Sequence, residues 1–289
     1  MLTYTEHDIQ SKQEQRTAMT IRQRTARVIS ITSGKGGVGK TNTTVNLGLA
    51  LVKLGRKVLI LDADLGLANV NILLGFQPAA TLQEVLQGKA ALRDVIVSHS
   101  SGLDIIPAAS GIPELVELST EEKLALMQAF DDFAFDYDYL IIDTAAGIGS
   151  NVLYFNVAAE RVVVIIDQEP TSITDAYALI KVLATKWDTK FFDIVVNRTP
   201  ESSAGKTIFA KLSRASDRFL PAQLNYLGSI AADDSISEAV VRQTPLLDLF
   251  PSTCASRDFM RLARKVEAND SERRAKGGLQ FFFRSLLER

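Results

Sequence analysis

The 289-residue chain is poor in the side chains that build metal centres and covalent cross-links. Its one cysteine, Cys254, excludes a disulfide framework and any cysteine-ligated metal or iron–sulfur centre within one chain. The two histidines, His7 and His99, have no ligand-like neighbours in the sequence. No apolar run is long enough to span a bilayer, and the polar beginning is not a signal peptide. We therefore expect a cytoplasmic protein that touches a membrane at most at its surface.

The chain also lacks a large excess of charge of either sign. A net charge of −2 argues against a protein that coats nucleic acid through bulk electrostatics, so no bulk nucleic-acid binding is expected. The hydrophobic fraction of 46% is sufficient for one large core.

A glycine-rich loop stands between an apolar strand and a helix near the start of the chain. Val28, Ile29 and Ile31 form the kind of apolar run that fills a buried parallel strand. The segment from Gly34 to Thr41 matches G-x-x-x-x-G-K-[ST], and helical apolar spacing follows it. A flexible glycine turn before a helix is the alternative, but strand, Lys-Thr pair and helix occur in the required order. The segment predicts a nucleotide site.

The residue types in this loop suit a triphosphate. Glycines let successive backbone N–H groups converge on phosphate oxygens at the positive end of a helix. Lys40 can reach the β- and γ-phosphates, and the Thr41 hydroxyl can ligate Mg²⁺. The predicted nucleotide-binding residues of the loop are Gly34, Lys35, Gly36, Gly37, Val38, Gly39, Lys40, Thr41 and Asn42.

Two further apolar strands end in aspartate. Arg56–Asp62 predicts a buried strand that is followed by a second acid, Asp64, and Tyr139–Asp143 predicts another strand. Open parallel sheets place their ligand crevice at the carboxyl ends of strands. A carboxylate there can orient an attacking water or hold Mg²⁺ through water. Helix capping is the alternative for one acid of the first pair.

The rest of the chain continues the alternation of strands and helices. Further strands are predicted at Arg161–Asp167 and Phe191–Asn197, and residues 75–118 are predicted to be a helical and loop excursion with a short strand at Leu103–Ile106. A capping box at Ser119 predicts a helix through about Phe135. We predict an α/β fold, with a doubly wound, mainly parallel sheet and helices on both faces.

The strand that ends at Asn197 bears on the choice of base. Guanine-binding P-loop proteins carry Asn-Lys-x-Asp here, whereas this chain reads Asn197-Arg198-Thr-Pro200 and lacks the acid. Asn197 can donate and accept at the edge of adenine, so ATP is favoured over GTP.

The two ends of the chain differ in composition from the domain between them. We predict a flexible arm at residues 1–26, an ATPase domain at 27–266, and a basic linker with an amphipathic helix at 267–289. The arm has an alternative as a helix that folds on a partner. In the tail, one apolar helical face suits an anionic membrane surface, and docking on the protein body or on another protein is the alternative. The predicted membrane residues are Leu279, Phe282, Phe283 and Leu286.

Several segments resemble one ATPase family. Gly-Lys-Gly-Gly-Val-Gly-Lys-Thr, at Gly34–Thr41, looks like the deviant Walker A motif of the MinD/ParA ATPases. The segments Asp62–Asn69, Asp143–Gly149 and Glu169–Lys181 look like the FlhG/FleN branch, the MinD-like ATPases that regulate flagellar number and placement. The segment Leu227–Asp233 resembles a loop that walls the adenine, without that loop's usual proline.

The resemblance implies roles for particular residues. Lys35 would reach the partner's phosphates in a nucleotide-sandwich homodimer, for which a solvated loop lysine is the alternative. Asp64 would position the catalytic water, with Lys35 and Lys40 also catalytic, and the implied metal residues are Thr41, Asp64 and Asp143.

The family match also extends to the dimer and the base. Glu169 and Asp175 would face the partner subunit, with Asp175 a candidate partner for Lys35. Helix capping by Thr171 and Asp175 is the alternative. Glu169, Asn197 and Arg198 complete the predicted nucleotide-binding set.

The implied function is a slow ATPase switch with ATP and Mg²⁺ as cofactors. It would form a homodimer when ATP-bound, sit at the inner face of the cytoplasmic membrane, and act with the flagellar GTPase FlhF, C-ring switch proteins or an enhancer-binding flagellar regulator. The arm reads only Asp8-Ile-Gln10 where some relatives carry D-Q-A-x-x-L-R, the motif that activates FlhF. The alternatives are a division-site MinD, a partitioning ParA, and a metabolic P-loop enzyme that activates a small substrate with ATP.

Overall fold

A computed structural model of the chain describes residues 26–65, 69–108, 119, 121 and 136–272. The described residues form an eight-stranded sheet in the order β3-β4-β2-β5-β1-β6-β7-β8. All neighbouring strands pair in parallel except β3 and β4, which are antiparallel. The strands are β1 Arg27–Ser33, β2 Val58–Ala63, β3 Val97–Ser98, β4 Asp104–Ile106, β5 Tyr139–Ala146, β6 Arg161–Ile166, β7 Phe191–Thr199 and β8 Gln223–Ala231.

Helices connect the strands and cover both faces of the sheet. They are α1 Lys40–Lys53, α2 Val70–Leu74, α3 Leu82–Leu86, α4 Ser150–Ala158, α5 Pro170–Lys186, α6 Ser202–Phe219, α7 Asp234–Val241, α8 Leu246–Leu249 and α9 Cys254–Glu272, with a 3₁₀ turn at Leu92–Val95. Among these described helices, none is long and apolar enough to cross a membrane. The predicted doubly wound α/β fold is confirmed.

The apolar runs of the central strands explain this layering. Along β1, Val28 points to one face and Ile29 and Ile31 to the other, and all three are buried. Helices α1 and α9 cover the face that carries Ile29, while α3, α4, α5 and α6 cover the opposite face. Strands that are buried on both faces read as continuous apolar runs, which is why they could be found from the sequence.

Some predicted boundaries differ from the structure. Ala26, assigned to the arm, is buried against the sheet. Helix α9 continues to Glu272, past the predicted domain end at Val266, and Glu267 forms an ion pair with Arg56 at 2.5 Å. The composition of the sequence changes after Val266, but α9 continues past this residue and the ion pair between Glu267 and Arg56 attaches it to the rest of the domain.

Two further predictions concern the loop at Leu227–Asp233 and the helix that begins at Ser119. The predicted adenine-wall loop at Leu227–Asp233 is wrong up to Ala231, because those residues belong to β8, which pairs with β7, and only Ala232 and Asp233 lie beyond the strand. The predicted helix from Ser119 to about Phe135 falls outside the described residues, apart from residues 119 and 121. The N-terminal arm and the C-terminal amphipathic helix also lie outside the described residues and stay predictions.

Candidate nucleotide-binding site

The glycine loop joins the end of β1 to the start of α1 at the carboxyl edge of the sheet. Gly37 and Gly39 have φ angles of +76° and +95°, a left-handed conformation that other L-residues rarely adopt. A Cβ built on Gly34 would lie 2.2 Å from the carbonyl carbon of Asp175, so the loop rests directly on α5. A Cβ on Gly36 would meet nothing within 4 Å, so the loop opens to solvent there. The predicted strand–loop–helix context is confirmed.

Lys40 begins α1 and is only 9% exposed. Burial lowers the pKa of Lys40, while the nearby carboxylates of Asp143 and Asp64 oppose that shift. A buried cation beside converging backbone N–H groups is a strong attractor for a phosphate. Lys40 therefore stands where the phosphates of a nucleotide would need it.

Asp143 and two hydroxyl groups form the candidate magnesium site. The Thr41 hydroxyl donates to one carboxylate oxygen of Asp143 at 2.7 Å, and the Thr44 hydroxyl donates to the other at 2.9 Å. Burial raises the pKa of Asp143, against the hydroxyl donors and the Lys40 charge, which lower it. Hydroxyl and carboxylate oxygens are the ligand types that Mg²⁺ prefers. These residues fit Mg²⁺, and Thr41 with Asp143 would hold it.

The two acids at the end of β2 have different roles. Asp62 is fully buried and accepts hydrogen bonds from the backbone N–H groups of Asp64, Asn69 and Val70 at 3.0–3.2 Å. Burial raises the pKa of Asp62, and neighbouring Asp143 raises it further. Asp62 thus holds the segment after β2 and the start of α2 from its place in β2, whereas the N-cap residue of that helix is Asn69, so neither acid is the N-cap that the sequence offered as an alternative. Asp64 is half-buried and its carboxylate contacts Asn69 at 3.4 Å.

The side chain of Lys35 contacts the start of α5 in the same chain. Its ammonium group forms an ion pair with Glu169 and donates to the Thr171 hydroxyl at 3.2 Å. The hydrogen bond with Glu169 raises the pKa of Lys35 and lowers that of Glu169. Asp175, the acid predicted to meet Lys35 across a dimer, acts on Lys35 here only as a more distant charge. The dimer role of Lys35 and Asp175 stays a prediction.

The capping alternative for the start of α5 is wrong. Glu169 is the N-cap residue of this helix, with Pro170 in its first turn, and no side chain caps it. Thr171 and Asp175 lie within the helix and hold no capping hydrogen bond. The Thr171 hydroxyl instead accepts a hydrogen bond from Lys35.

A cavity of about 620 Å³ opens beside the loop at its Asn42 end. A nucleoside could occupy this volume, because ligand cavities of roughly 300–1,000 Å³ are typical for molecules of that size. It is lined by Gly39, Asn42, Thr43, Gln168, Asn197, Arg198, Ala232, Asp233, Asp234, Ile236, Ser237, Val240, Val241 and Phe259. The loop, the candidate magnesium residues and this cavity lie next to one another at the carboxyl edge of the sheet. Together they fit a nucleoside triphosphate.

Asn197 has a structural role that the sequence did not reveal. Its side-chain amide donates to the Val38 carbonyl at 2.8 Å, and its oxygen accepts from the Arg198 N–H at 2.9 Å. A Cβ on Gly39 would come within 2.3 Å of the Asn197 amide nitrogen. Asn197 therefore braces the glycine loop, and its predicted contact with adenine stays a prediction.

Thr44 and Thr171 are site residues that the sequence interpretation missed. Thr44 follows Thr41 by three residues and so lies on the same helical face, a spacing that could have identified it. Thr171 was considered only as a helix cap, and nothing in the sequence ties it to Lys35, 136 residues away.

Comparisons with known proteins agree with this geometry. A family model described as an AAA domain matches residues 26–193. The antiactivator FleN of Pseudomonas aeruginosa is 46% identical over 261 residues, covering 90% of this chain and 93% of FleN. The flagellum site-determining protein YlxH of Helicobacter pylori is 34% identical, covering 90% of this chain and 89% of YlxH.

Solved structures place the fold in the same group. The septum site-determining protein MinD of Pyrococcus horikoshii, complexed with Mg-ADP, superposes with a TM-score of 0.70 at 26% identity. The match covers 86% of this chain and 100% of that MinD. The chain belongs to the MinD/ParA-type ATPases, in the branch of FleN and FlhG.

Proposed function

We propose that the chain is an ATP-dependent dimerising switch with slow ATPase activity, and that it regulates the number and placement of flagella. The similarity to an antiactivator FleN and a flagellum site-determining YlxH supports the flagellar assignment. The observation that carries the switch is the contrast between two lysines of one loop. Lys40 is buried inside the site, whereas the side chain of Lys35 keeps 32% exposure at the surface.

In the proposed dimer, Lys40 acts on the nucleotide of its own subunit and Lys35 acts on the nucleotide of the other subunit. Lys40 neutralises phosphate charge within its own chain, and the half-buried Asp64 orients the attacking water. Thr41 and Asp143 hold Mg²⁺, which supplies charge stabilisation for phosphoryl transfer when bound. Lys35 leaves Glu169 and reaches the phosphates held by a second copy. Because a cation then serves the neighbour's nucleotide, dimer formation depends on the triphosphate.

Size-exclusion chromatography with light scattering tests the dimer. In an Asp64→Ala background, which slows hydrolysis, we expect a dimer with ATP and Mg²⁺ and a monomer with ADP. Adding Lys35→Ala should abolish the dimer, whereas Lys89→Ala, which removes an exposed lysine outside the site, should leave it intact. A Lys35→Ala protein that dimerises and hydrolyses ATP normally would remove the central step of the proposal.

We also propose that the dimer works at the inner face of the cytoplasmic membrane through its C-terminal helix. Two weak membrane contacts in a dimer bind far more tightly than one, which links membrane residence to ATP. Co-sedimentation with vesicles containing anionic lipid should require ATP and should be lost on removal of residues 277–289. A Phe282→Glu variant should lose it too, while Gln280→Glu, off the apolar face, should lose much less. Binding that survives both the deletion and Phe282→Glu would exclude this helix as the anchor.

The partner proteins follow from the flagellar assignment. Candidates are the flagellar GTPase FlhF, the C-ring switch proteins and an enhancer-binding flagellar regulator. The name antiactivator, carried by the 46%-identical relative, favours the regulator. Binding measured against each purified candidate, with ATP and with ADP, should show a nucleotide-dependent affinity for one of them.

A further inference from the structure

Strand β8 is an open edge of the sheet. It pairs with β7 along one side, and no strand of the described residues pairs with its other side. The opposite edge, β3, is two residues long, whereas β8 spans nine residues. Long edge strands present unpaired N–H and C=O groups to any extended chain that approaches them.

The open side of β8 lies in a groove between α6 and α9. A cavity of about 160 Å³ at this place is lined by Lys206, Tyr226, Leu227, Gly228, Ser229, Asp258, Arg261, Leu262 and Lys265. Both helices press closely on the strand. A Cβ on Gly228 would lie 2.8 Å from the Leu262 side chain, and a Cβ on Gly205 would lie 2.6 Å from the Tyr226 hydroxyl. Backbone and small groups therefore form part of the floor.

Cations dominate the rim of the groove. Lys206 comes from α6, while Arg261 and Lys265 come from α9. Asp258 is the one acid among the lining residues, and it already accepts from the Ala231 N–H at 2.9 Å and pairs with Arg261. The lining thus carries three cationic side chains and one carboxylate, and that carboxylate is already hydrogen-bonded within the protein.

The side chain of Lys265 binds a backbone carbonyl group on the open edge of β8. Its ammonium group donates to the Leu227 carbonyl of β8 at 2.7 Å and lies 5.8 Å from the centroid of the Tyr226 ring. It occupies a position on the edge carbonyl that the N–H group of an added strand would take. Burial, together with the charges of Lys206 and Arg261, lowers the pKa of Lys265. An incoming carboxylate would relieve that repulsion.

We propose that this groove binds an extended segment of a partner protein, which adds a strand to the open edge of β8 and places an acidic side chain among Lys206, Arg261 and Lys265. Main-chain hydrogen bonds supply affinity in such strand addition, and side-chain contacts supply specificity. The residues that line this groove are different from those of the candidate nucleotide site. The proposal therefore does not depend on the flagellar assignment.

Charge complementarity favours a partner over the chain's own segments. Residues 1–25 carry four cations against three acids, and residues 273–289 carry five cations against one acid. The acidic stretch at 109–135 connects β4 to β5, and three strands separate β5 from β8. Neither of these terminal stretches carries the excess of acid that would complement a basic groove.

Fluorescence anisotropy on the full-length protein tests the proposal. The probe is a labelled heptapeptide of alternating valine and glutamate, compared with a valine–lysine peptide and with a glutamate peptide that has a central proline. We expect saturable binding of the first peptide only, because the lysine peptide is repelled and proline cannot complete the strand pairing. Amide exchange at Ser229 should slow when the peptide binds, because Leu227 and Ala231, two residues to either side of it, direct their backbone groups to the open edge of β8.

Two matched variants separate a specific site from general electrostatics. Lys206→Glu should weaken peptide binding about tenfold or more, as expected for reversing one contacting charge, and Lys206→Arg should restore it. Lys211→Glu makes the same charge change on an exposed position of α6 outside the groove and should leave the affinity within about twofold. Unchanged melting temperatures check that both variants fold.

Several outcomes would overturn the proposal. The first is the absence of saturation up to about 1 mM peptide, a concentration at which even a Kd of about 1 mM would be seen. The others are equal weakening by Lys206→Glu and Lys211→Glu, and equal binding of the proline peptide. Competition by a single-stranded oligonucleotide with the same dependence on Lys206 would assign the groove to nucleic acid instead.

Discussion

Among single residues, Gly34 decides how closely the phosphate loop packs on its support. The loop meets α5 where a Cβ would lie 2.2 Å from backbone, a distance that atoms do not tolerate. Gly36, two residues on, faces open space and has no positive φ angle. The same substitution at these two glycines therefore separates packing from loop flexibility.

Gly34→Ala should lower the free energy of unfolding and weaken nucleotide binding. Overpacking of this kind costs roughly 1–3 kcal/mol, which corresponds to a fall in Tm of about 2–10 °C for a domain of this size. Gly36→Ala should change Tm by less than about 2 °C. Calorimetry and titration with a fluorescent ATP analogue measure both effects. Equal losses in the two variants would show that loop flexibility, rather than contact with α5, makes Gly34 necessary.

Between elements, Asp233 joins the starts of two helices. Its carboxylate accepts from the Ser235 N–H of α7 at 3.0 Å and from the Ala255 N–H of α9 at 3.3 Å. Burial acts to raise the pKa of Asp233, but these hydrogen bonds outweigh it and the pKa is lowered. The stabilisation is therefore present above the unfolded-state value of about 4 and is lost as pH falls through the lower folded-state value.

Asp233→Ala should reduce the free energy of unfolding by about 1–2 kcal/mol at pH 7, the usual cost of losing an N-cap. Asp233→Asn keeps an acceptor and should lose only about 0.3–1 kcal/mol from the missing charge. Urea titrations at pH 7 and at about pH 3 should show the difference between wild type and Asp233→Asn shrinking at the lower pH. A difference independent of pH would mean that the charge of Asp233 contributes nothing.

A second inter-element contact is buried. Arg161 of β6 forms an ion pair with Asp193 of β7, which also accepts from Asn225 of β8 at 2.5 Å, and the guanidinium donates to the Val266 carbonyl of α9 at 3.2 Å. Removing one partner of a buried ion pair leaves the other partner's charge buried with neither a counter-ion nor water to stabilise it. The exposed pair of Arg93 and Asp136, at 3.0 Å, provides the comparison.

Arg161→Leu should therefore destabilise the protein by about 3–5 kcal/mol, and Arg93→Leu by no more than about 1 kcal/mol. Chemical denaturation of both variants measures the difference. Similar small losses would mean that Asp193 finds other compensation in the absence of the guanidinium. Restoration of stability by an additional Asp193→Leu change would identify the unpaired acid as the cause.

At the scale of the whole molecule, the proposed function makes formation of the dimer depend on the candidate magnesium site. In the Asp64→Ala background with ATP and Mg²⁺, addition of EDTA should convert the dimer to monomer, because Thr41 and Asp143 lose the ion that ties the phosphates to the chain. Light scattering during elution follows the change, and restored Mg²⁺ should reverse it. A dimer of the same stability in EDTA would separate assembly from the metal.

Much of this architecture could be predicted from the sequence, and the exceptions have physical reasons. The central strands were found because burial on both faces makes them continuous apolar runs, and the phosphate loop because its glycines and lysine serve one chemistry. Strand β8 was not predicted, because Asn225 and Tyr226 interrupt its apolar pattern at the sheet edge. The contact of Lys35 with Glu169 and the brace from Asn197 to Val38 span more than a hundred residues, and no local pattern encodes them.

The place of β1 in the middle of the sheet also affects how the protein can be made. Its two neighbours are β5 and β6, so neither flanking strand exists until residues 139–166 have left the ribosome. At elongation rates of about 5–20 residues per second that delay is roughly five to thirty seconds. During synthesis, the glycine loop after β1 therefore leaves the ribosome well before the strands that flank β1, so an unfinished chain lacks the sheet edge on which the candidate nucleotide site is built.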